Sequence, residues 1–141
     1  MPNHCYQSVY IKGPRAMVQE LYFYLDCKEP RFCDVVVPMP LHEAGNIYEW
    51  CNANWSTKWD VQGVEISDEG LTFSDVTDPE QIAWFSFKCW TAWAPPIPVW
   101  DQLHALGIDV GADYEDEGEM FKGEYQNGLD DCWVPEAEAV A

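Results

Sequence analysis

Positive charge is what this chain has least of. Seven lysines and arginines stand against 25 aspartates and glutamates, a formal net charge of -18. Such a field repels DNA, RNA and anionic membrane surfaces, and it attracts basic partners or cations at rates that fall with salt. A direct nucleic-acid binder and a membrane-surface protein are therefore the wrong expectations. Solubility alone needs a net charge of only about 2 to 8 in a small domain. Histidine is also scarce, with His4, His42 and His104 scattered singly, so neither a Ser-His-Asp arrangement nor clustered zinc ligands can be read from spacing. No glycine loop followed by lysine is present to cradle a phosphate. No apolar run approaches a membrane span, and "MPNHCYQSVYIKG" lacks a basic region followed by an apolar core, so the expected location is cytoplasmic. None of the six cysteines forms a C-x-x-C unit, and they read as reduced, mostly buried, small apolar residues.

What is present is a composition that folds. Apolar residues make up 48% and aromatics 15%, with eight tryptophans, which excludes disorder from weak hydrophobicity. The length suits one domain, 1–134, followed by a flexible tail over 135–141. "YQSVYIKG" alternates around Val9 and Ile11 as a strand does, and Gly13-Pro14 stops it. From Arg15 to about Asp26, Met17, Val18, Leu21, Tyr22 and Leu25 recur at helical steps. "RFCDVVVPMP" reads as a short β-branched strand, and a helix is expected from about Asn46 with Ile47, Trp50 and Cys51 on one side. "KWDVQGVEI" and "LTFSDV" read as a hairpin across "SDEG", and "IAWFSFKCW" as a further strand. "APPIPVWDQLHALGID" predicts a helix ending at Gly107, and "VGADYE" and "MFKGEYQNG" return to strand character. Helices and strands mixed in this way predict an α+β fold, an antiparallel sheet with helices packed on one face.

The densest chemistry lies in "GADYEDEGEMFKGEY", where six carboxylates crowd around Lys122. Asp113, Glu115, Glu117, Gly118 and Glu124 match positions 1, 3, 5, 6 and 12 of a calcium loop. Glutamates at positions 3 and 5 are too long for that small cage, and glycines rather than helices flank the segment, so no metal is assigned. Read as a strand, alternation sends Asp113, Glu115, Glu117 and, unless Gly118 turns the chain, Glu119 to one face about 7 Å apart, a ladder of like charges. From Asp109 onward eleven acids accompany one base, and Asp60 to Glu80 holds seven acids and none. A hairpin sheet can bring these two tracts onto one surface. Closely spaced, rigid carboxylates are what a competitor for a DNA-binding groove must supply, since duplex DNA carries one charge per about 1.7 Å. The candidate partner-binding residues are Asp113, Tyr114, Glu115, Asp116, Glu117, Glu119 and Glu124, with Asp68, Glu69, Asp75 and Asp78 from the second tract. Tyr114 and Tyr125 are placed to act as buried anchors at the border of the acids. A solvated acidic face with no partner is the plainer alternative.

Tryptophan beside acid, in "YEW" at 48–50 and "KWD" at 58–60, leaves a carboxylate-dependent hydrolase open, because apolar surroundings raise one acid of such a pair. No catalytic residue is assigned, since sequence does not show the separation. In "CNANWSTKWD", Lys58 can lie on an indole face or pair with Asp60, and "TAWAPP" fixes a rigid turn above Trp93; both read as anchors of the fold.

Four motifs carry a resemblance. "MPNHCYQSVYIKG" resembles the opening M-P-N-W-C-x-N-x-L-x-I-x-G of the YubB-type ferredoxin-like family of conjugative plasmids, phages and related mobile elements. "NANWSTKWD" is similar to its N-W-G-T-K-W-D, "TAWAPPIPV" to its T-A-W-S-P-P-x-P-V, and "YEDEGEMFKGEY" to its Y-x-E-x-G-x-x-F-x-G. The matches run in order from residue 1 to about 125. His4 stands for Trp, Gln7 for Asn and Ser56 for Gly, and "VEISDEGLTFSDVTDPEQ" is an acidic insertion. The resemblance implies a ferredoxin-like core without an iron-sulfur cluster, here extended by a C-terminal acidic hairpin. It supplies no catalytic residues and no cofactor. It places the chain on elements that meet nucleases and RNA-guided complexes lined with Lys and Arg. The expected role is thus a non-enzymatic DNA mimic, anti-CRISPR or anti-restriction, whose partner is the basic DNA-binding surface of a host nuclease or CRISPR effector complex. A divalent-cation module, a hydrolase and a DNA-maintenance accessory protein are the alternatives.

Overall fold

The structure is a computed structural model that describes residues 4–40, 47–74 and 81–134. Its elements in chain order are β1 (His4–Pro14), α1 (Arg15–Leu25), α2 (Cys33–Val36), α3 (Ile47–Trp55), β2 (Gln62–Ile66), β3 (Thr72–Phe73), β4 (Ile82–Ala92), α4 (Ile97–Ala105), β5 (Asp109–Asp116), β6 (Lys122–Gln126) and β7 (Leu129–Trp133). The expected tail over 135–141 lies outside the described residues. Seven strands form one antiparallel sheet in the order β2-β4-β1-β5-β6-β7, with β3 also on β4. The fold is α+β, and its sheet is larger than a ferredoxin-like one.

Alternation decides which face is covered. Cys5, Val9 and Ile11 of β1, Phe85, Phe87 and Cys89 of β4, and Val110 and Ala112 of β5 are buried on one side. Against them lie Val18, Leu21 and Leu25 of α1 and Val99, Trp100 and Leu103 of α4. Burial of each such side chain contributes on the order of 1.5 to 3 kcal/mol, which makes this layer the dominant source of stability. The α4 helix ends as its sequence requires: Gly107 takes φ +92°, its N–H donates to His104 O, and the Ile108 N–H donates to Leu103 O. That is the paired bonding of a glycine-terminated helix end. Among the described residues no helix is long and apolar enough to cross a membrane.

Two expected elements are corrected. Residues 33–36, read as a strand from their β-branched run, form α2, because Asp60 satisfies the helix's first N–H groups from far along the chain. Its carboxylate accepts from the backbone N–H of Phe32, Cys33 and Asp34, at 2.8 Å for Cys33, and from Val61 at 2.7 Å. Strands β2 and β3 do not pair with each other as a hairpin. Both run along the same edge of β4, Ile66 opposite Phe87 and Thr72 opposite Trp84, and 67–71 loop out between them. The strand β7 is additional. It follows Asn127 and Gly128, both at positive φ, the backbone of a tight two-residue hairpin turn.

Candidate partner-binding face

The helices leave the second face of the sheet open, and register places its side chains. One transverse row runs Glu65, Lys88, Ser8, Asp113, Glu124, Asp131, each directly opposite the next on the neighbouring strand. The adjacent row runs Trp90, Tyr6, Glu115, Lys122, Trp133. Strands lie about 4.8 Å apart, and residues i and i+2 about 7 Å apart along one strand. Asp113, Glu124 and Asp131 are therefore three like charges side by side, an arrangement that works against folding.

The open face carries a trough, two concavities of about 560 and 720 Å³ that share lining residues. Glu65, Lys88, Asp113 and Glu124 line both. Asp68 reaches the larger one, so the two acidic tracts meet across a single depression. Lys88 and Lys122 also face this side, yet neither lies within 4.0 Å of a carboxylate oxygen among the described residues. The carboxylates of Asp113, Glu115 and Glu124 likewise accept no hydrogen bond from a described residue, so water or a partner must solvate them.

The aromatic part of the trough is built by packing. A Cβ on Gly63 would fall 1.8 Å from the Trp90 ring, so the glycine, at φ +60°, lets that indole lie down over β2. His4 stacks on Trp90 at 5.3 Å between centroids, and Tyr6 meets it edge-on at 6.3 Å. Tyr6 is 42% exposed and Trp133 38% exposed.

The predicted residues divide by parity. Asp113, Glu115 and Glu124 point into the open face, with Asp68 at its margin. Glu69 is exposed in the loop beside it. Glu117 lies past the end of β5, where its carboxylate accepts the His4 N–H at 2.7 Å, and Glu119 is an exposed turn residue at φ +56°. Asp75 and Asp78 lie outside the described residues. Tyr114 and Asp116 are corrected: as even-numbered residues of β5 they face the covered side and are buried. The Asp116 carboxylate accepts the Gly118 and Met120 N–H groups and organises the turn. The Tyr114 hydroxyl donates to Asp130, and burial together with that carboxylate pushes its pKa upward. Tyr125 is likewise internal, donating to Asp101 at 2.6 Å and packing 5.1 Å from Trp100. Neither tyrosine can anchor a partner from there.

The other acid-aromatic motifs have structural occupations. Asp60 of "KWD" is taken up by the backbone N–H groups that begin α2. Lys58 lies over the rings of Tyr48, Trp59 and Trp93 at 4.8, 5.6 and 5.3 Å, which joins "STKWD" to "TAWAPP". Thr57 tightens the same junction by accepting the Ala92 N–H at 2.9 Å. The 113–124 segment is a β-hairpin rather than a helix-flanked loop. No group of three His, Cys, Asp or Glu side chains among the described residues is placed to hold a metal ion. Sequence reasoning missed Glu65, Asp131, Tyr6, Trp90 and Trp133; the Asn127-Gly128 dipeptide was the available signal for the strand that carries two of them.

No family model, curated protein or solved structure matches the chain significantly.

Proposed function

We propose that this protein is an acidic decoy that occupies the basic DNA-binding surface of a host nuclease or CRISPR effector complex. The observation that carries the reading is the carboxylate row Asp113, Glu124 and Asp131, unpaired among the described residues, on a hydrogen-bonded sheet face that no described helix covers, faced across the trough by Glu65 and Asp68. A merely soluble surface would spread these charges, because adjacency costs stability. A surface that stands in for phosphate must concentrate them and hold them still. Contacts of this kind steer association and weaken as ionic strength rises.

Two finer readings belong to the same proposal. The connectivity β1-α1-β2-β4-α4-β5 with the order β5-β1-β4-β2 supports a ferredoxin-like core, to which β3, β6, β7, α2 and α3 are additions. Within those additions, β6 and β7 with Glu124, Asp130 and Asp131 act as the acidic hairpin. Kinship with the YubB-type family rests on the four motifs, three of which have packing roles here.

The test is competition. A restriction nuclease or a CRISPR effector is held on labelled target duplex while the protein is added at 50 and 300 mM salt. The expected result is displacement of the duplex that weakens steeply with salt and is lost in the double variant Asp113→Lys, Glu124→Lys. Inhibition that is indifferent to salt, or that survives the charge reversal, overturns the reading.

A further inference from the structure

The trough is not uniformly acidic, and its two rows differ in chemistry. One presents carboxylates alone beside Lys88 and Ser8. The other presents an aromatic platform with a carboxylate next to it: Tyr6 sits between Trp90 and Glu115, directly opposite both. Trp90 is fixed by His4 and by the space over Gly63, so it forms a wall. Tyr6, 42% exposed and held at the centre of the sheet by β4 and β5, keeps an accessible ring. Asp113 stands one step along β5 from Glu115, on the same face, and lines the same concavity of about 560 Å³.

We propose that this corner receives an arginine side chain of the partner protein, its guanidinium stacked on Tyr6 and donating hydrogen bonds to Glu115 and Asp113. The inference rests on the decoy reading and names what the decoy grips. A guanidinium is flat, weakly hydrated and able to stack on a ring while it donates to carboxylates in its own plane. An ammonium group satisfies the charge but not the platform, since it is compact and strongly hydrated. A divalent cation is poorly served, because among the described residues no three carboxylates are placed to converge on one. A nucleobase would stack equally well, but its phosphate would meet the carboxylate row. Arginine is also the residue with which DNA-binding channels hold phosphates in a forked geometry.

The probes are two nine-residue peptides of equal charge, one with four arginines and one with four lysines, titrated by calorimetry into the intact protein at 50 and 300 mM salt. The arginine peptide is expected to bind about threefold to tenfold more tightly, a margin that a stacked guanidinium supplies. Tyr6→Leu, which keeps apolar cover without the ring, and Glu115→Gln should each remove that preference. Asp131→Asn, at the far end of the carboxylate row, should weaken both peptides alike and leave the preference intact. Circular dichroism and thermal melting of each variant separate a lost contact from a lost fold. Equal affinity for the two peptides with steep salt dependence sinks the arginine site and leaves the decoy standing. A preference that persists in Tyr6→Leu sinks the arginine site too. Failure of both peptides to bind at 50 mM salt removes the decoy reading with it.

Discussion

Replacing Glu124 tests whether the carboxylate row is held against its own repulsion. Glu124 has Asp113 directly opposite on one side and Asp131 on the other, with no lysine in ion-pair contact among the described residues. With carboxylates roughly 6 Å apart in a water-like medium, each pair repels by about 0.7 kcal/mol before screening. The groups are exposed and salt screens them, so the discount is large: at 20 mM salt the two pairs together amount to about 1 kcal/mol, and at 500 mM to about 0.3 kcal/mol. Glu124→Gln should therefore stabilise the protein by those amounts, raising Tm by about 3 to 4 °C at low salt and by about 1 °C at high salt. Glu124→Lys turns two repulsions into attractions and should roughly double the low-salt gain. Glu20→Gln, an exposed acid on α1 across the molecule, changes net charge equally and should move Tm by less than a third as much. The assay is thermal unfolding followed by circular dichroism at the two salt concentrations. An unchanged Tm in Glu124→Gln at 20 mM salt, a shift that salt does not diminish, or an equal gain from Glu20→Gln would refute the reasoning.

Asp60→Ala should destabilise by about 3 kcal/mol in urea unfolding, because four backbone N–H groups lose a charged acceptor, while Asp60→Asn, keeping one oxygen, should lose about half as much; a loss below about 1 kcal/mol for alanine would contradict the role. Gly63→Ala forces a methyl group into the Trp90 ring at a φ of +60° and should cost about 2 kcal/mol or more with a changed near-ultraviolet dichroism spectrum. An unaltered spectrum would mean that Trp90 is not laid down as described. Alkali should weaken the fold. Burial pushes the Cys5 thiol up to about 12 from an ordinary 9.0, and Cys33, Cys89, Tyr114 and Tyr125 also rise. A raised pKa means that the folded state keeps a proton the unfolded chain releases, so this stability is whole below pH 9 and falls as pH climbs towards 12, by about 1.4 kcal/mol per pH unit for each group in its window. Urea midpoints under reducing conditions at pH 8, 9.5 and 10.5 check it, and a midpoint flat to pH 10.5 would refute it.

The elements that read correctly are those whose signal is local. In β1, Val9 and Ile11 alternate with Tyr6, Ser8 and Tyr10, and the structure buries the first pair and exposes the rest. In α1 the helical steps of Val18, Leu21 and Leu25 are the buried face. Gly107 announces the end of α4 by chemistry that needs nothing distant. What misled the reading was long-range. Residues 33–36 carry two valines and look extended, but the partner that makes them a helix is Asp60, well beyond any window of local pattern. The acidic strand β7 has five exposed residues and no alternation to display, so only its turn spoke for it. For the face itself, alternation puts Asp113 and Glu115 on one side; applied to Tyr114 and Asp116, named with them as partner-binding, it excludes both. That Asp113, Glu124 and Asp131 stand abreast required the register of three strands, which no spacing in the chain encodes.

Register also explains why these acids differ from acids on a loop. Strand β5 is hydrogen-bonded on both sides, to β1 and to β6, so Asp113 and Glu115 cannot move apart by shifting backbone without breaking ladder bonds. The one escape left to them is rotation of side chains into water. Glu117 and Glu119, beyond the strand, are under no such constraint, and Glu117 has turned to accept a backbone N–H instead. Repulsion is thus retained where paired strands fix the spacing and relieved where the chain has left the sheet. On the proposed reading, a basic partner laid along the trough would remove that repulsion and take up its free energy as affinity, without reordering the backbone, because the core of α1 and α4 already holds the sheet in shape. Stability given up in the free protein and recovered in a complex is the physical link that the proposed decoy role would draw between this sequence's excess of acid and its acidic sheet face.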